Sequence, residues 1–470
     1  MRAALAIASK DWREALRAGW LWWAALAIVA LALTSALTAA VTRAETTRTL
    51  AAAEAQEAQT WLDQGPRNPH AAAHFSRFAV RPASALEDVD PGLRAFVGGH
   101  VWMEAHLQRP AEARPAEDRA DASPLGALTP SWIVQHLLAL LGLAIGAIGF
   151  AREREEGRLA LLQSHGAGAF GLAVGKVLGA VGLTLGVGVV LLAASTAGPW
   201  MQVLAGGALY ADAGLRLGFW CLAALAYGAI FAALGVALSA WFSTTRASLL
   251  AALALWALSV IVAPRVAITA AEAVAPAPSP ATFVASLRAD VREAMARENA
   301  GHGAPPNATV TDEQGRVLSV RGLRLQRGEE IGDAIFDRRY AELRAAYARQ
   351  DGVRAQFAAV SPAIAFASLS SGLTGTDFAH HADFLAKAEA HRRVIIRQLN
   401  EDDIFNAGDR GGAYLANREL WEDVPGFAYT APTLAQTATK APRDALVLTA
   451  WLLVALMLAI GSMLFALRRR

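Results

Sequence analysis

Long apolar runs alternate along the chain with polar stretches of very unequal length. Residues 20–41 form the first run. As a helix it would rise about 33 Å, enough to cross a hydrocarbon core of about 30 Å. Comparable runs lie at 131–150, 168–196, 214–240, 247–264 and 444–467. The pattern predicts six transmembrane helices and an all-α polytopic membrane protein. Residues 1–19 read differently. Leu5, Ala8, Trp12 and Leu16 recur at helical spacing, while Lys10, Arg13, Glu14 and Arg17 fall largely elsewhere on the wheel. That is the pattern of an amphipathic helix lying in the membrane interface. A cleaved leader is the competing reading of 20–41, because Ala36 and Ala39 lie beyond its apolar core. The length of the run, the acids before it and its Trp-rich start favour an uncleaved anchor.

Two polar regions, 42–130 and 265–443, separate the spans unevenly. In the first, residues 45–61 continue the helix out of the membrane, and Pro66, Pro69, Pro82, Pro91, Pro110, Pro115 and Pro124 break the remainder into short pieces. The second reads as mostly helical. Ser279 and Pro280 suit the cap and first turn of a helix over 281–298, with Phe283, Leu287, Val291 and Met295 every fourth residue. Residues 309–320 suit a hairpin turning near Gln314 and Gly315, and 330–350 and 378–399 return to helical period. The apolar stretch 360–369 is suited to resting against the membrane or the bundle. Within the spans, Gly142, Gly146 and Gly149 line one side of the second and permit close helix approach. Lys176, about two turns into the third, is placed to snorkel to the surface.

Charge fixes the expected orientation. The positive residues of the termini and short loops are Lys10, Arg13, Arg17, Arg152, Arg154, Arg158, Arg246 and the triplet Arg468, Arg469 and Arg470. With six spans all of them fall on one side, which the positive-inside rule makes the cytoplasm. Both termini are then cytoplasmic and both polar regions extracytoplasmic. The composition, 54% hydrophobic against 18% charged, agrees with a membrane protein carrying sizeable polar parts. A net charge of +2 and the lack of a basic cluster interleaved with aromatics argue against nucleic acid as a partner. Cys221 is the lone cysteine, so no internal disulfide supports the outer regions.

Few residues suggest chemistry of their own. Gly171, Gly175, Lys176 and Val177 superficially resemble a phosphate loop, but the glycine spacing is one residue short and Val177 stands where a hydroxyl is needed. His70 and His74 stand one helical turn apart, and His380, His381, Asp383 and His391 cluster near one helix. Such imidazoles can chelate zinc or copper. Neither group shows a complete ligand set by spacing, which favours solvated or capping histidines. A Ser/His/Asp site lacks a Gly-x-Ser-x-Gly elbow to support it, and Asn307, Ala308 and Thr309 match a glycosylation acceptor by pattern alone.

The short segment 151–167 cannot lie in hydrocarbon. It carries Arg152, Glu153, Arg154, Glu155 and Glu156, then Leu159, Leu161 and Leu162. Arg154, Glu155, Glu156, Gly157, Arg158 and Leu159, with Leu161 and Leu162, precede Gly175, Lys176, Val177, Leu178 and Gly179. In this six-span order the chain resembles the membrane subunit of a type-two ABC exporter, although family members commonly have Thr where Arg158 stands. Ser361 and Pro362, then Gly375, Thr376 and Asp377 with Phe384, and Trp421, Pro425, Phe427 and Tyr429 are similar to a bacterial subgroup with a long insert before the last span.

The resemblance implies a permease of the bacterial inner membrane, not itself an enzyme and without a cofactor of its own. A partner ATPase would hold ATP and magnesium, and a second permease copy or paralogue would complete the assembly. It also implies that 151–167 is a coupling helix seated in the ATPase. Glu153, Glu155 and Glu156 would then meet its basic residues, Leu159 and Leu162 would pack against it or the bundle, and Gly157 would permit a bend beside Arg158. Two other classes compete: a membrane-anchored outer-face enzyme or sensor, and an assembly or motility component that uses ABC-type energy without moving a solute.

Overall fold

The computed structural model describes residues 1–75, 77–94, 96–112, 128–159, 162, 168–207, 209–300, 305, 307–437 and 441–468. Helix α1 (Arg2–Arg17) leads into α2 (Trp20–Leu62), whose 43 residues run through the first apolar stretch and on into the polar region. The first polar region then gives α3 (Pro69–Ala72) and strands β1 (Phe78–Val80), β2 (His100–Glu104) and β3 (Leu107–Gln108). Four further spanning helices come next: α4 (Pro130–Glu155), α5 (Ala169–Leu204), α6 (Ala213–Trp241) and α7 (Thr245–Val274). The second polar region comprises α8 (Pro280–Asn299), the hairpin β4 (Thr309–Thr311) and β5 (Val317–Ser319), α9 (Val320–Gln356), α10 (Pro362–Thr374), α11 (Phe378–Asn406) and α12 (Arg418–Asp423). The last span is α13 (Ala441–Arg468). All six expected spans are helices long and apolar enough to cross a membrane.

Small residues set the bundle's core. Helices α4 and α6 pack along each other, and a Cβ on Gly146 would overlap the carbonyl oxygen of Ala232, while one on Gly235 would overlap that of Leu143. Backbone approach of this kind is the main attraction open to helices in lipid, where burying apolar surface gains little. Gly142 shares the contact through Gly228 and Ala232, but nothing lies near the place of a Cβ on Gly149. Two of the three glycines read from the sequence therefore form the close face. A second glycine face, on α5, receives α1: a Cβ on Gly175 would lie 2.7 Å from the Cβ of Ile7, and one on Gly182 would lie 2.6 Å from the ring of Trp12. Helix α1 thus buries Ala4, Ile7 and Ala8, while Leu5 and Leu16 stay exposed. In α7 a widened turn at Ala257–Val262 precedes Pro264, whose missing N–H interrupts the regular ladder.

The two polar regions fold into one domain. Trp61 at the far end of α2 donates from Nε1 to the carbonyl of Trp421, 2.9 Å away, with the two rings edge to face at 5.7 Å. Val101 and Met103 of β2 join Phe384, Ile395, Ile396 and Leu399 of α11 in the same core. The sheet runs β1-β2-β3, antiparallel throughout, with Phe78 opposite Trp102 and Glu104 opposite Leu107. The pattern does not announce it, because its strands are only three, five and two residues long. The second hairpin matches expectation, with Gly315 at φ +77°.

Helix α10 joins this domain to the bundle. Ser361 caps it, accepting from the backbone N–H of Ala363, and Phe366 stacks on Tyr227 of α6 at 4.7 Å. Ser370 binds Trp220 Nε1 at 2.7 Å and also donates to buried Asp90, which accepts from Ser131 at 2.9 Å. Gly375 ends the helix in the left-handed region at φ +74°, where a Cβ would run into the phenol of Tyr210. The apolar stretch at 360–369 therefore rests on the bundle.

The two glycines of α4 that face differently provide a test of this packing. Gly146→Val should destabilise the chain by about 1–3 kcal/mol through overpacking, whereas Gly149→Val should leave it unchanged. Thermal unfolding of both variants in nanodiscs measures the contrast, and equal melting would contradict the backbone contact with α6.

Candidate functional site

Charges concentrate where α1, α4 and α5 meet. Glu153, in the last turn of α4, is 2% exposed and Lys176 of α5 is 3% exposed. Their atoms Oε1 and Nζ are 2.6 Å apart. Lys10 of α1 reaches the same oxygen at 2.5 Å, and Lys176 also donates to Asp11 Oδ1 at 2.9 Å. Two ammonium groups and two carboxylates thus alternate among three helices. Oxygens of Asp11, Glu14 and Glu153 come close enough to suggest a cation site. Lys10, Lys176 and Arg158 already pair with these three carboxylates, so the cluster acts as an ion-pair network. A cavity of about 80 Å³ beside it is bordered by Asp11, Glu14, Glu153, Arg158 and Lys176.

This network corrects two expectations. Glu153 does not face a partner chain; its carboxylate is turned inward and engaged by two lysines. Lys176 does not snorkel to the surface, because Asp11 and Glu153 hold its ammonium inside the packed helices. An unpaired charge there would lose its hydration without compensation, so each sign recruits the other.

The remaining charges of the segment lie further out. Arg154 donates to the carbonyls of Ala240 and Phe242, each at 2.9 Å, and so caps the C-terminus of α6. Glu155 is exposed and accepts from the backbone N–H of Thr245 at 3.0 Å, at the start of α7. The carboxylate of Glu156 accepts from Arg152 Nε at 2.7 Å and from Arg158. Its pKa lies below the ordinary glutamate value, chiefly because of the hydrogen bond from Arg152. Gly157, at φ +73°, turns the chain out of α4 as expected, in a conformation that a side chain would disfavour. Arg158 returns toward α1, with Nη1 3.1 Å from Glu14 Oε1. Leu159 is buried in the bundle core and Leu162 is half-buried against it. Leu161 and residues 163–167 lie outside the described residues.

Of the seven residues read as a coupling surface, then, Glu155, Glu156 and Gly157 are exposed, Arg158 and Leu162 are half-buried, and Glu153 and Leu159 are buried. Arg152 adds exposed positive charge beside them. The part played by Lys10, Asp11 and Glu14 is not read from the sequence, yet a usable signal exists. An acid inside the end of one span and a lysine two turns inside the next both require partners.

The histidine groups fare differently. His380 Nδ1 lies 2.6 Å from Asp377 Oδ1, while His391 Nε2 meets the carbonyl of Pro425 at 3.1 Å. Asp383 accepts from Lys387 and Tyr429. These residues engage separate partners and do not form one ligand set. Burial, with Arg81 and Arg94 nearby, pushes His381 down to about 4. His70 and His74, by contrast, come together with His106 of the β2–β3 turn.

A family model described as ABC-2 family transporter protein matches residues 5–469. Comparison with curated proteins gives no match.

Removing the shared carboxylate tests the buried network. Glu153→Gln should cost on the order of 3 kcal/mol, because Lys176 stays buried with only Asp11 to pair it. Adding Lys176→Met should restore more than half of that loss. Melting of the single and double variants in nanodiscs decides the matter; wild-type stability in Glu153→Gln would show that the network anchors nothing.

Proposed function

The chain belongs to the ABC-2 transporter family and is a multi-pass membrane permease subunit of an ABC transporter, and we propose that the exposed residues at the end of α4, Arg152, Glu155, Glu156 and Gly157, are the surface through which a separate ATPase chain drives it. The observation that carries the proposal is the way this surface is mounted. Arg152, Glu155, Glu156 and Gly157 stand exposed on the end of α4. Directly beneath them, Glu153 ties α4 to α1 and α5, and Arg154 and Glu155 hold the adjoining ends of α6 and α7. A displacement of the exposed tip is thereby shared among five helices. Surface ion pairs alone contribute about 0–1 kcal/mol and transmit little; the buried network beneath gives the tip its stiffness.

ATP and magnesium belong, in this reading, to the partner chain, and hydrolysis there alternates the permease between inward- and outward-open states. The termini and the coupling surface face the cytoplasm of a bacterial inner membrane, and the folded domain faces outward. A second copy or paralogue completes the pathway. The sparsely buried spans α2, α7 and α13 leave surface for that partner as well as for lipid. Export is the direction that fits an outer domain fused to the permease.

Charge reversal at the tip tests the surface without disturbing the network under it. Arg152→Glu with Glu156→Lys reverses both signs of an exposed pair and parts residue 156 from Arg158, so stability should change by no more than about 1 kcal/mol. ATPase retention in a mild-detergent pull-down should fall at least tenfold, together with ATP hydrolysis by the purified complex. Undiminished retention would place the docking surface elsewhere.

A further inference from the structure

Three histidines from two separate parts of the outer domain meet at its surface. His70 lies in the short helix α3 and His74 two residues beyond its end, and His106 stands at the tip of the β2–β3 hairpin. The ring centroids are 4.9, 5.1 and 5.3 Å apart in the three pairings, and one ring nitrogen from each lies within 4.8 Å of the others. We propose that His70, His74 and His106 bind a divalent transition-metal ion of the imidazole-preferring class, zinc or copper, at a site steadied by Glu329.

The geometry around His106 is the strongest support. Its Nε2 lies 3.2 Å from Nε2 of His70. Two nitrogens bound to one tetrahedral zinc at about 2.05 Å would stand about 3.3 Å apart. Glu329 Oε1 lies 2.6 Å from His106 Nδ1 and 2.9 Å from its backbone N. With the ring neutral, that carboxylate accepts a hydrogen bond from Nδ1–H and leaves the Nε2 lone pair directed at His70. A carboxylate on the far nitrogen is the usual support of a metal-binding imidazole. Arg392, 3.2 Å from the other oxygen of Glu329, fixes the carboxylate further.

A second observation points the same way. His106 has φ +64°, the one positive value among the described residues other than glycine. That conformation is uncommon for a side-chain-bearing residue. Glu329 grips both backbone and ring of the strained residue and aims Nε2 at the other two. His70 is half-buried beside the other two rings, and its Nδ1 has no hydrogen-bond partner among the described residues. His74 and His106 are exposed, which gives an ion a path in and leaves room for a water as fourth ligand. The rival arrangement is a single imidazole-to-imidazole hydrogen bond, which needs no ion and gives His74 no part.

Equilibrium dialysis of the purified full chain tests the proposal, with its affinity tag removed and metals stripped by a chelator. Zinc and copper are offered in separate arms, and bound metal is counted per chain. One ion per chain at micromolar or lower concentration is expected in at least one arm. His74→Ala and His106→Gly should each weaken binding at least a hundredfold; glycine is chosen because it accepts the backbone of residue 106. Glu329→Gln should keep the stoichiometry and weaken affinity about 10–100-fold. In the copper arm, electron spin resonance should show coupling to three imidazole nitrogens, falling to two in His74→Ala. A melting curve on each variant checks that the fold persists. No saturable binding in either arm, or binding unchanged in His74→Ala, would overturn the proposal. The readout is independent of ATPase docking.

Discussion

A carboxylate that leaves water must find a cation, and Glu153 does so at the point where three helices converge. Its two lysine partners lie more than 20 residues away in either direction along the chain, one in the amphipathic leader and one inside the next span. Desolvation makes this geometry strict. Moving α1 off its glycine face on α5 would strand Lys10 and Asp11, and moving α4 would strand Lys176. The ionic lock and the small-residue contacts reinforce each other, because Gly175 and Gly179 bring α1 close enough for Lys10 and Asp11 to reach across.

At the other end of the bundle, α10 plays the corresponding part. It carries apolar contacts to α6 and hydrogen bonds to Asp90 and Trp220. Buried Arg216 adds to the joint, donating to Asp212 at 2.6 Å and to the carbonyl of Pro432 at 2.9 Å. The folded domain is thus fastened to the spans through several polar contacts, and a movement of α6 has a direct route into it.

Much of this architecture is legible in the sequence because the signals are local. The apolar runs mark all six spans, Ser279 and Pro280 mark the start of α8, and Gly315 marks its hairpin. The union of the two polar regions is not legible, since Trp61 and Trp421 meet only through long-range folding. The charged end of α4 shows the same division. A helical wheel reveals that Glu153, Glu155 and Glu156 are charged but not that the first turns inward, because its partners come from other helices. His106 stays hidden for a similar reason: its link to His70 and His74 depends on a two-residue turn in a sheet too short to leave a pattern.

The length of α2 gives it a mechanical character. Its 43 residues extend roughly 65 Å without a break, about twice the thickness of the hydrocarbon they cross. The far end is not free, since Trp61 is wedged into the core of the polar domain. A helix held in this way acts as a lever arm with its fulcrum in the bilayer. A tilt of about 5° at the base would swing the tip by about 6 Å over that length, so a small rotation on one side of the membrane becomes a stroke on the other.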